Sequence, residues 1–276
     1  MQRTFDRRFG PDFLASVPLA PGVYRMIDAA GAVIYVGKAT SLRRRLAQYR
    51  LARRGEKHRK MRTIVRTAVR IEVEVHASET EAAIAEARLI EQLRPRLNVA
   101  GAFSFLYPLV GTGSGDDGAL VLAYSTTPAE HPELAWHGAY RSREVVGDAF
   151  FALVRLLARV GHLSPVAQRP KGKRTWRREV RRLPPALCDW DAFFRGRRKD
   201  ALRALVLALL DKAAARRDAP EVEEDLRLLA RFYRTEARRL RRATKLLDDP
   251  RWPIPQTERD VLFLRARPLM AARKRR

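Results

Sequence analysis

The chain has a single cysteine, Cys188, among its 276 residues. One thiol cannot form a disulfide within the chain, and it cannot build a zinc or iron–sulfur site of four thiolates. The sequence also has no apolar run long enough to cross a bilayer and no signal-peptide pattern after Met1. These absences exclude a disulfide-stabilised secreted scaffold, and we expect a cytoplasmic protein with no membrane partner.

Acidic residues are scarce relative to basic ones. Lys and Arg number 56 against 31 Asp and Glu, which gives a formal net charge of +25 at pH 7. This excess is larger than solubility requires, and it indicates a polyanionic partner such as DNA. The alternative is a solvated charge run in a genome whose base composition favours arginine codons.

The basic residues form three concentrations along the chain. Residues 43–70 contain twelve Lys or Arg and one acid, a second cluster runs from Arg169 to Arg182, and a third is the tail 273–276. Contacts of this kind bind phosphate without reading bases, so binding should weaken steeply as the salt concentration rises. The residues that we predict to contact DNA are Arg43, Arg44, Arg50, Arg53, Arg54, Lys57, Lys60, Lys171, Lys173 and Arg174.

Two short tyrosine segments near the amino terminus predict a β-hairpin. Residues 22–27 and 32–37 are rich in Val, Ile and Tyr, and the turn between them ends at Gly31, which is free to adopt a positive φ. Because side chains alternate along a strand, Tyr35 should face a groove while its neighbours face a core. The alternation predicts that one face carries Val33, Tyr35 and Gly37 and the other carries Ile34 and Val36.

A helix is predicted to begin near Leu42, with Thr40 or Ser41 as its N-cap. Four residues fall on one stripe of this helix, namely Leu42, Arg45, Leu46 and Tyr49. The two leucines would anchor the helix, so that Arg45 and Tyr49 face the hairpin.

A third strand and a second helix follow. Residues 69–76 alternate strictly between apolar and polar side chains, which predicts a half-buried strand. Ser78 and Glu81 have the spacing of a capping box, and the helix that they open should run to about Leu93. On this helix Glu86 is a carboxylate flanked by apolar residues.

In this order, the features resemble the GIY-YIG nuclease family, and more closely the amino-terminal nuclease domain of UvrC-type excinucleases. The resemblance covers residues 15–98 and rests on the segments 21–24, 34–39, 42–49, 78–82, 86–90 and 94–98. It implies an α+β fold, with a small antiparallel sheet flanked by helices in residues 1–100 and a mainly helical carboxy-terminal region.

The resemblance also implies catalytic roles. Tyr35 would be the general base for the attacking water, and Tyr24 would position that water or share the task. A free tyrosine has a pKa of about 10, so nearby cations such as Lys38 and Arg45 would have to stabilise its phenolate. Arg45 would also bind the phosphoryl oxygens in the transition state, and Tyr49 would brace it or touch the phosphate.

Two further residues complete the implied site. Glu86 would hold one divalent cation, Mg²⁺ or Mn²⁺, whose oxygen shell is completed by water and phosphate. Asn98 would tie the end of the domain to the site. Each residue also has a structural alternative: Tyr24 and Tyr35 as packed strand tyrosines, Glu86 as a solvated carboxylate or half of an ion pair with nearby arginines, and Tyr49 and Asn98 as scaffold.

The chain stops at Arg276, without a second nuclease half, which brings the resemblance closest to the short single-nuclease UvrC homologues of the Cho type. This implies one incision, on the 3′ side of a lesion in double-stranded DNA, with UvrA and UvrB choosing the site. The alternatives are a structure-specific or mobile-element GIY-YIG endonuclease outside repair, and a DNA-binding module that recruits partners without cutting.

The remaining residues predict two further regions. Residues 101–186 form an intermediate α/β region, with a flexible glycine-rich loop at 111–118, a strand at 119–124 and a helix at 145–160. This region should end in a basic, proline-containing linker at 164–186.

The last region, residues 187–276, is predicted to be helical, with a possible role in binding UvrB or DNA. Its helices should span 200–216 and 222–247, with a strand or helical turn at 261–264.

Overall fold

The structure is a computed structural model that describes residues 3–52, 55–98, 106–115, 118–164 and 175–272. The chain divides into two compact units, Met1–Ser104 and Phe105–Arg276. In the described ranges, no helix is long and apolar enough to span a membrane.

The first unit contains an antiparallel sheet of three strands in the order β2-β1-β3. Its strands are β1 (Gly22–Ile27), β2 (Val33–Ala39) and β3 (Arg70–Val75). Its helices are α1 (Thr4–Phe9), α2 (Phe13–Ser16), α3 (Leu42–Arg50), α4 (Arg59–Thr67) and α5 (Glu79–Leu93), with a 3₁₀ turn at Glu56–His58 before α4.

Both faces of this sheet are covered, which makes three layers. Side chains of one face pack with those of α1, α3 and α4, and their cluster includes Phe5, Met26, Ile34, Leu42, Leu46 and Ile64. The other face packs against α5 through Val23, Val36, Ala82 and Ile90. Burial of each large apolar side chain contributes about 1.5–3 kcal/mol, so the two clusters hold strands and helices together.

The predicted hairpin is present, but the strict alternation of side chains along its second strand is wrong. The pairing of β1 with β2 shifts register once, near the turn. A bulge of this kind adds one residue to one strand and reverses the faces beyond it. As a result, Ile34 packs in the same cluster as Tyr35, and Val33 packs in that of Val36.

The helix ends behave largely as the sequence indicates. Ser78 Oγ accepts a hydrogen bond from Glu81 N at 3.1 Å, as in a capping box, while Glu81 Oε2 accepts one at 3.1 Å from Ala77 N, one residue before the N-cap. Helix α5 ends at Leu93, and the next residue, Arg94, has a φ of 44°. Ser41 occupies the N-cap position of α3, but its side chain makes no capping hydrogen bond.

The second unit has a five-stranded antiparallel sheet in the order β6-β4-β5-β8-β7. Its strands are β4 (Leu109–Ser114), β5 (Leu120–Ser125), β6 (Ala135–His137), β7 (His162–Leu163) and β8 (Thr175–Arg181). Its helices are α6 (Arg143–Val160), α7 (Asp191–Phe194), α8 (Asp200–Leu210), α9 (Ala213–Arg217), α10 (Ala219–Phe232), α11 (Arg238–Leu246) and α12 (Arg259–Ala272). A π-helical turn, Tyr233–Ala237, joins α10 to α11.

The first half of the glycine-rich segment that we predicted as a loop, residues 111–114, belongs to strand β4. Its glycines make room for neighbouring side chains: a Cβ on Gly111 would lie 3.0 Å from a ring carbon of Trp136, and one on Gly113 would lie 2.7 Å from Leu134 Cδ2. The glycines therefore allow close packing within a sheet, a use of glycine that composition alone does not distinguish from a turn.

The prediction of a linker at 164–186 is also wrong for its described part. Residues Thr175–Arg181 form β8, which pairs along its length with β5. Val180 packs in the core and Trp176 packs against it, and the charged residues between them made the segment resemble a charged loop. The sheet, α6 and the later helices share one core, so residues 105–276 form one unit without a division near 186.

The carboxy-terminal helices follow the prediction in outline. The segment 200–216 is broken between α8 and α9, and Pro220 lies in the first turn of α10, where a missing backbone N–H has little cost. The open choice at 261–264 resolves as part of α12.

Candidate active site

Tyr24 lies at the centre of the first unit, on the middle strand β1, and its side chain is buried. Gly37 is its partner across the hairpin. A Cβ at position 37 would lie 2.4 Å from the Tyr24 hydroxyl, so only glycine leaves space for the phenol to cross strand β2. The second tyrosine segment thus ends in glycine because the first tyrosine occupies that space.

Helix α3 brings Arg45 and Tyr49 to the same hydroxyl. The Tyr24 and Tyr49 hydroxyl oxygens lie 3.0 Å apart, and Arg45 Nε donates to the Tyr24 hydroxyl at 3.3 Å. The Arg45 guanidinium also lies 5.5 Å from the centroid of the Tyr49 ring, and its Nη1 donates to Gln48 Oε1 at 2.6 Å. Two phenols and a glutamine amide therefore fix the direction of this guanidinium.

Tyr35 belongs to the same aromatic group but is only half-buried. Its ring centroid lies 6.1 Å from that of Tyr24. Lys60, on α4, places its ammonium 5.2 Å from the centroid of the Tyr35 ring. Sequence reasoning named Lys60 only as a DNA contact; its position beside Tyr35 depends on the packing of α4, for which the local sequence has no signal.

Burial separates the tyrosines chemically. Desolvation, together with the neighbouring Tyr35, raises the pKa of Tyr24 to about 12, although hydrogen bonds from Tyr49 and Arg45 oppose the shift. Burial also raises the pKa of Tyr49 well above its ordinary value. Both phenols are therefore protonated at neutral pH, where each can donate a hydrogen bond.

Glu86 projects from α5 toward the end of β2. Its Oε1 accepts a hydrogen bond from Lys38 N at 3.1 Å, and its Oε2 lies 3.9 Å from Lys38 Nζ. Burial raises the pKa of this carboxyl, while the charges of Lys38 and Arg45 oppose the shift. The solvated alternative for Glu86 does not hold, and its ion-pair partner is a lysine rather than an arginine.

The tyrosine group and the carboxylate meet at consecutive residues of β2. The Tyr24 hydroxyl lies against Gly37, and the next residue, Lys38, binds Glu86 through its backbone N–H. Arg45 is near enough to influence both Tyr24 and Glu86 electrostatically. A phenol, a guanidinium and a carboxylate from distant parts of the sequence thus share one site.

Asn98 is buried, and its side-chain amide acts as both acceptor and donor toward the backbone in the middle of β2. Its Oδ1 accepts from Val36 N at 2.8 Å, and its Nδ2 donates to Val36 O at 2.7 Å. Leu97 N donates to Ile34 O at 3.0 Å on the same strand edge. Because β2 is an edge strand, these groups and Glu86 satisfy backbone atoms that no further strand would pair.

The donor set suits a hard cation that keeps most of its water. Within the described ranges, no group of three or more His, Cys, Asp or Glu side chains could form a closed protein metal site. Glu86 supplies one carboxylate whose Oε2 accepts no hydrogen bond from the described residues. Mg²⁺ commonly binds through one or two carboxylates, water and substrate phosphate, so the residues fit this ion and do not fit a structural zinc.

The predicted DNA contacts of the first unit divide into two groups. Arg43 donates to the carbonyl oxygens of Val17 and Ala15, and Arg50 pairs with the buried Asp6 at 2.7 Å, so both stabilise the fold. Arg44 and Lys60 are exposed. The predicted contacts that lie outside the described residues are Arg53, Arg54, Lys171, Lys173, Arg174 and the side chain of Lys57.

Comparison with known proteins gives a family match within the first unit and curated relatives over longer stretches of the chain. Residues 20–99 match the family model of the UvrC-like GIY-YIG domain. The UvrABC system protein C of Serratia proteamaculans is 36% identical over 167 residues, which are 59% of this chain and 25% of that protein. Its counterpart from Yersinia pseudotuberculosis is 37% identical over 161 residues, 57% and 24% of the two chains.

A solved structure also matches. The GIY-YIG amino-terminal endonuclease domain of UvrC from Thermotoga maritima, bound to its catalytic divalent cation, magnesium, is 35% identical, with a TM-score of 0.29. The match covers 36% of this chain and all of that domain.

The chain spans about a quarter of the length of the curated relatives that it matches, so the comparisons identify a domain rather than a whole protein. The first unit of this chain is an endonuclease domain of the UvrC-like GIY-YIG family.

Proposed function

We propose that the chain is a metal-dependent endonuclease that cuts one strand of damaged double-stranded DNA in nucleotide excision repair. The observation that carries the proposal is the meeting of Tyr24, Arg45 and Glu86 at the Gly37–Lys38 step of β2. Phosphodiester hydrolysis requires a base for water, positive charge on the phosphoryl oxygens and an anchor for a divalent cation. The site offers Tyr35, beside Tyr24, as the base, Arg45 as the positive charge and Glu86 as the anchor for the cation.

Tyr35 is the best candidate for the base. It is the half-buried tyrosine of the group, so water can reach its hydroxyl, whereas Tyr24 and Tyr49 are buried and protonated. The Lys60 ammonium lies beside its ring and supplies positive charge of the kind that a phenolate base requires. Tyr24 would then hold the attacking water and the guanidinium in place.

Arg45 would bind the phosphoryl oxygens as negative charge develops on them. Its Nε and Nη1 already donate to Tyr24 and Gln48, which fixes the plane of the guanidinium before substrate arrives. A pre-oriented charged donor stabilises a transition state without a reorganisation cost. Tyr49 is then a positioning residue, since it acts through Tyr24 and Arg45.

Glu86 would hold one Mg²⁺ or Mn²⁺, with Lys38 orienting its carboxylate. When bound there, the cation would neutralise charge on the scissile phosphate and acidify a nearby water. The Thermotoga domain with its catalytic magnesium supports this choice of cofactor.

The same relatives support a proposal about the substrate and partners. Because they are components of a UvrABC system, we propose that UvrA and UvrB deliver this chain to damaged DNA and that the incision is 3′ to the lesion. The net charge of +25 supports a DNA substrate.

The proposal is tested by incision of a duplex with one defined lesion, with and without UvrA and UvrB, mapped to one nucleotide. We expect a single Mg²⁺-dependent nick that Glu86→Gln and Tyr35→Phe abolish and that the control Glu91→Gln, on the same helix, retains. Nicking that persists in both site variants would refute the assigned site. Equal cutting of undamaged branched DNA without UvrB would instead identify a structure-specific nuclease, and tight binding without any cutting would identify a binding module.

A further inference from the structure

Six basic side chains line one concavity of about 440 Å³ in the second unit. They are Arg197, Arg198, Lys199, Arg203, Arg238 and Arg241. A second concavity of about 460 Å³ shares Arg197 and Arg241 with the first and adds three cations and two carboxylates, namely Arg195, Lys245, Arg251, Asp248 and Asp249. We call the two concavities together the basic groove.

The groove is built on a fixed framework. The loop between α7 and α8 approaches the π-helical turn so closely that a Cβ on Gly196 would lie 2.5 Å from Ala237 O. Gly196 has a φ of 65°, which favours glycine at this position, and Arg241 Nη1 donates to its carbonyl oxygen at 3.2 Å. The loop and α11 therefore present their cations in a set arrangement, beside a π-helical turn of the kind that is frequent at functional sites.

Most of this charge is not neutralised by the protein. Three cations of the groove form ion pairs: Arg198 with Asp200 at 3.4 Å, Arg195 with Asp191 at 2.7 Å and Arg251 with Asp249 at 2.6 Å. Lys199 lies 5.0 Å from the centroid of the Tyr233 ring. Among the described residues, Arg197, Arg203 and Arg238 have no carboxylate within the 4.0 Å that defines an ion pair. Like charges held this close repel one another, so an anion with several charges would relieve the repulsion.

We propose that the basic groove binds the phosphate backbone of DNA and gives the second unit its own contact with the nucleic acid. The choice of DNA among polyanions rests on the proposed function. Arginine guanidinium groups match phosphate oxygens in geometry, and positively charged polar surfaces are typical of protein–DNA interfaces. An interface for an acidic protein would more often have an aromatic or aliphatic centre, whereas the groove residues that reach solvent are mainly Arg and Lys.

Binding of a fluorescent, undamaged duplex to the full chain tests the proposal. All proteins carry Glu86→Gln and the buffer contains EDTA, so no cutting disturbs the measurement. The groove variant combines Arg197→Gln, Arg203→Gln and Arg238→Gln; the control combines Arg217→Gln, Arg231→Gln and Arg267→Gln, exposed arginines outside both concavities. Both lose three positive charges, and circular dichroism verifies that both are folded.

We expect the groove variant to bind about tenfold or more weakly at low salt, with the slope of log K against log salt reduced by about 2–3, because each lost phosphate contact removes about one unit. The control should change affinity by less than about twofold. The single variants Arg197→Gln and Arg238→Gln should each lower the slope by about 1. These single changes test the groove even if the triple variant unfolds.

Equal losses in the groove variant and the control would overturn the proposal, since net charge alone would then explain binding. Unchanged DNA binding with lost binding of UvrB would also overturn it, in favour of an acidic protein partner. Failure of the groove proposal can be distinguished from failure of the nuclease proposal. A wild-type chain that binds DNA through the groove but never nicks it would refute the nuclease proposal alone.

Discussion

The hydroxyl oxygens of Tyr24 and Tyr49 lie 3.0 Å apart in the core of the first unit, and Arg45 donates to the first of them. Two tyrosines from different elements thus cooperate in orienting one guanidinium. Both have a raised pKa because they are buried, and this separates them in role from the half-buried Tyr35.

The first prediction concerns this chain of hydrogen bonds. Tyr24→Phe removes the partner of both Arg45 and Tyr49, so we expect incision to fall about 100-fold, within the range that positioned groups supply. Tyr49→Phe leaves the contact of Arg45 with Tyr24 intact and should lower incision only about tenfold, or about 1.4 kcal/mol. Single-turnover rates at saturating DNA measure the effect. An equal loss in the two variants would contradict the proposed order of contacts.

Glu86 gives the second prediction, which concerns metal binding and pH. A glutamine at this position still accepts from Lys38 N through its amide oxygen, so Glu86→Gln should fold normally while losing Mg²⁺ affinity and at least about 1,000-fold in incision. Because burial raises the pKa of the carboxyl, the wild type should bind metal more weakly as pH falls through that raised value. Isothermal titration with Mg²⁺ and with Mn²⁺ at several pH values measures this. Unaltered metal binding in Glu86→Gln would exclude the assigned ligand.

Asn98 should contribute more to stability than any single surface residue. Asn98→Ala leaves the buried N–H and carbonyl of Val36 without partners, each at a cost of about 1–3 kcal/mol, so the free energy of unfolding should fall by about 2–6 kcal/mol. Asn98→Asp keeps the acceptor and loses the donor, so its free energy of unfolding should lie between those of the wild type and Asn98→Ala. Urea unfolding of the first unit measures both. A loss of incision without a loss of stability would instead indicate contact with the substrate.

The sequence predicted the three strands, α3 and α5 of the first unit because each has a local signal, whereas α1, α2 and α4 were not predicted. Alternation marks β3, a capping box marks the start of α5, and spacing puts Arg45 and Tyr49 on one stripe. The contacts between these elements had no such signal. The bulge at the start of β2 and the approach of Lys60 to Tyr35 both arise from packing at a distance in sequence.

The second unit was harder to predict because its local signals conflict with its fold. Glycines at 111 and 113 resemble a turn, and arginines in β8 resemble a solvated run, yet both segments are strands of one sheet. In each case the partner strand decides the outcome, since it supplies both the hydrogen bonds and the side chains that fill the space. The basic groove escaped detection for the same reason: its residues come from separate helices and one loop.

His137 provides a prediction about acid stability. His137 is 1% exposed. Its Nδ1 accepts a hydrogen bond from Trp252 Nε1, and its Nε2 lies 3.1 Å from Thr112 Oγ1. Burial lowers its pKa to about 4, although nearby Asp191 opposes the shift. The unfolded chain takes up the proton near pH 6.5, whereas the buried imidazole of the folded chain stays neutral until about pH 4. The stability that the neutral, buried His137 contributes is therefore present above pH 6.5 and is lost as pH falls toward 4.

The loss amounts to about 3 kcal/mol at most for the second unit. Chemical unfolding of wild type and His137→Gln between pH 7 and pH 4 measures it, and the variant should show a smaller pH dependence. Parallel curves for the two proteins would mean that another group is responsible.

Gly37→Ala tests whether incision requires the Tyr24 phenol to lie against Gly37 of β2. The new Cβ would lie 2.4 Å from the Tyr24 hydroxyl, a distance that no relaxation of a methyl group can accommodate, so the phenol must leave its contacts with Tyr49 and Arg45. We expect about 1–3 kcal/mol of overpacking cost and at least about a 100-fold loss of incision. The matched control is Gly147→Ala in α6, where nothing lies within 4 Å and alanine should stabilise the helix by about 0.5–1 kcal/mol. If Gly37→Ala cuts DNA at the wild-type rate, then Tyr24 does not need its position beside Gly37, and the convergence of the phenol, the guanidinium and the carboxylate is not what produces the activity.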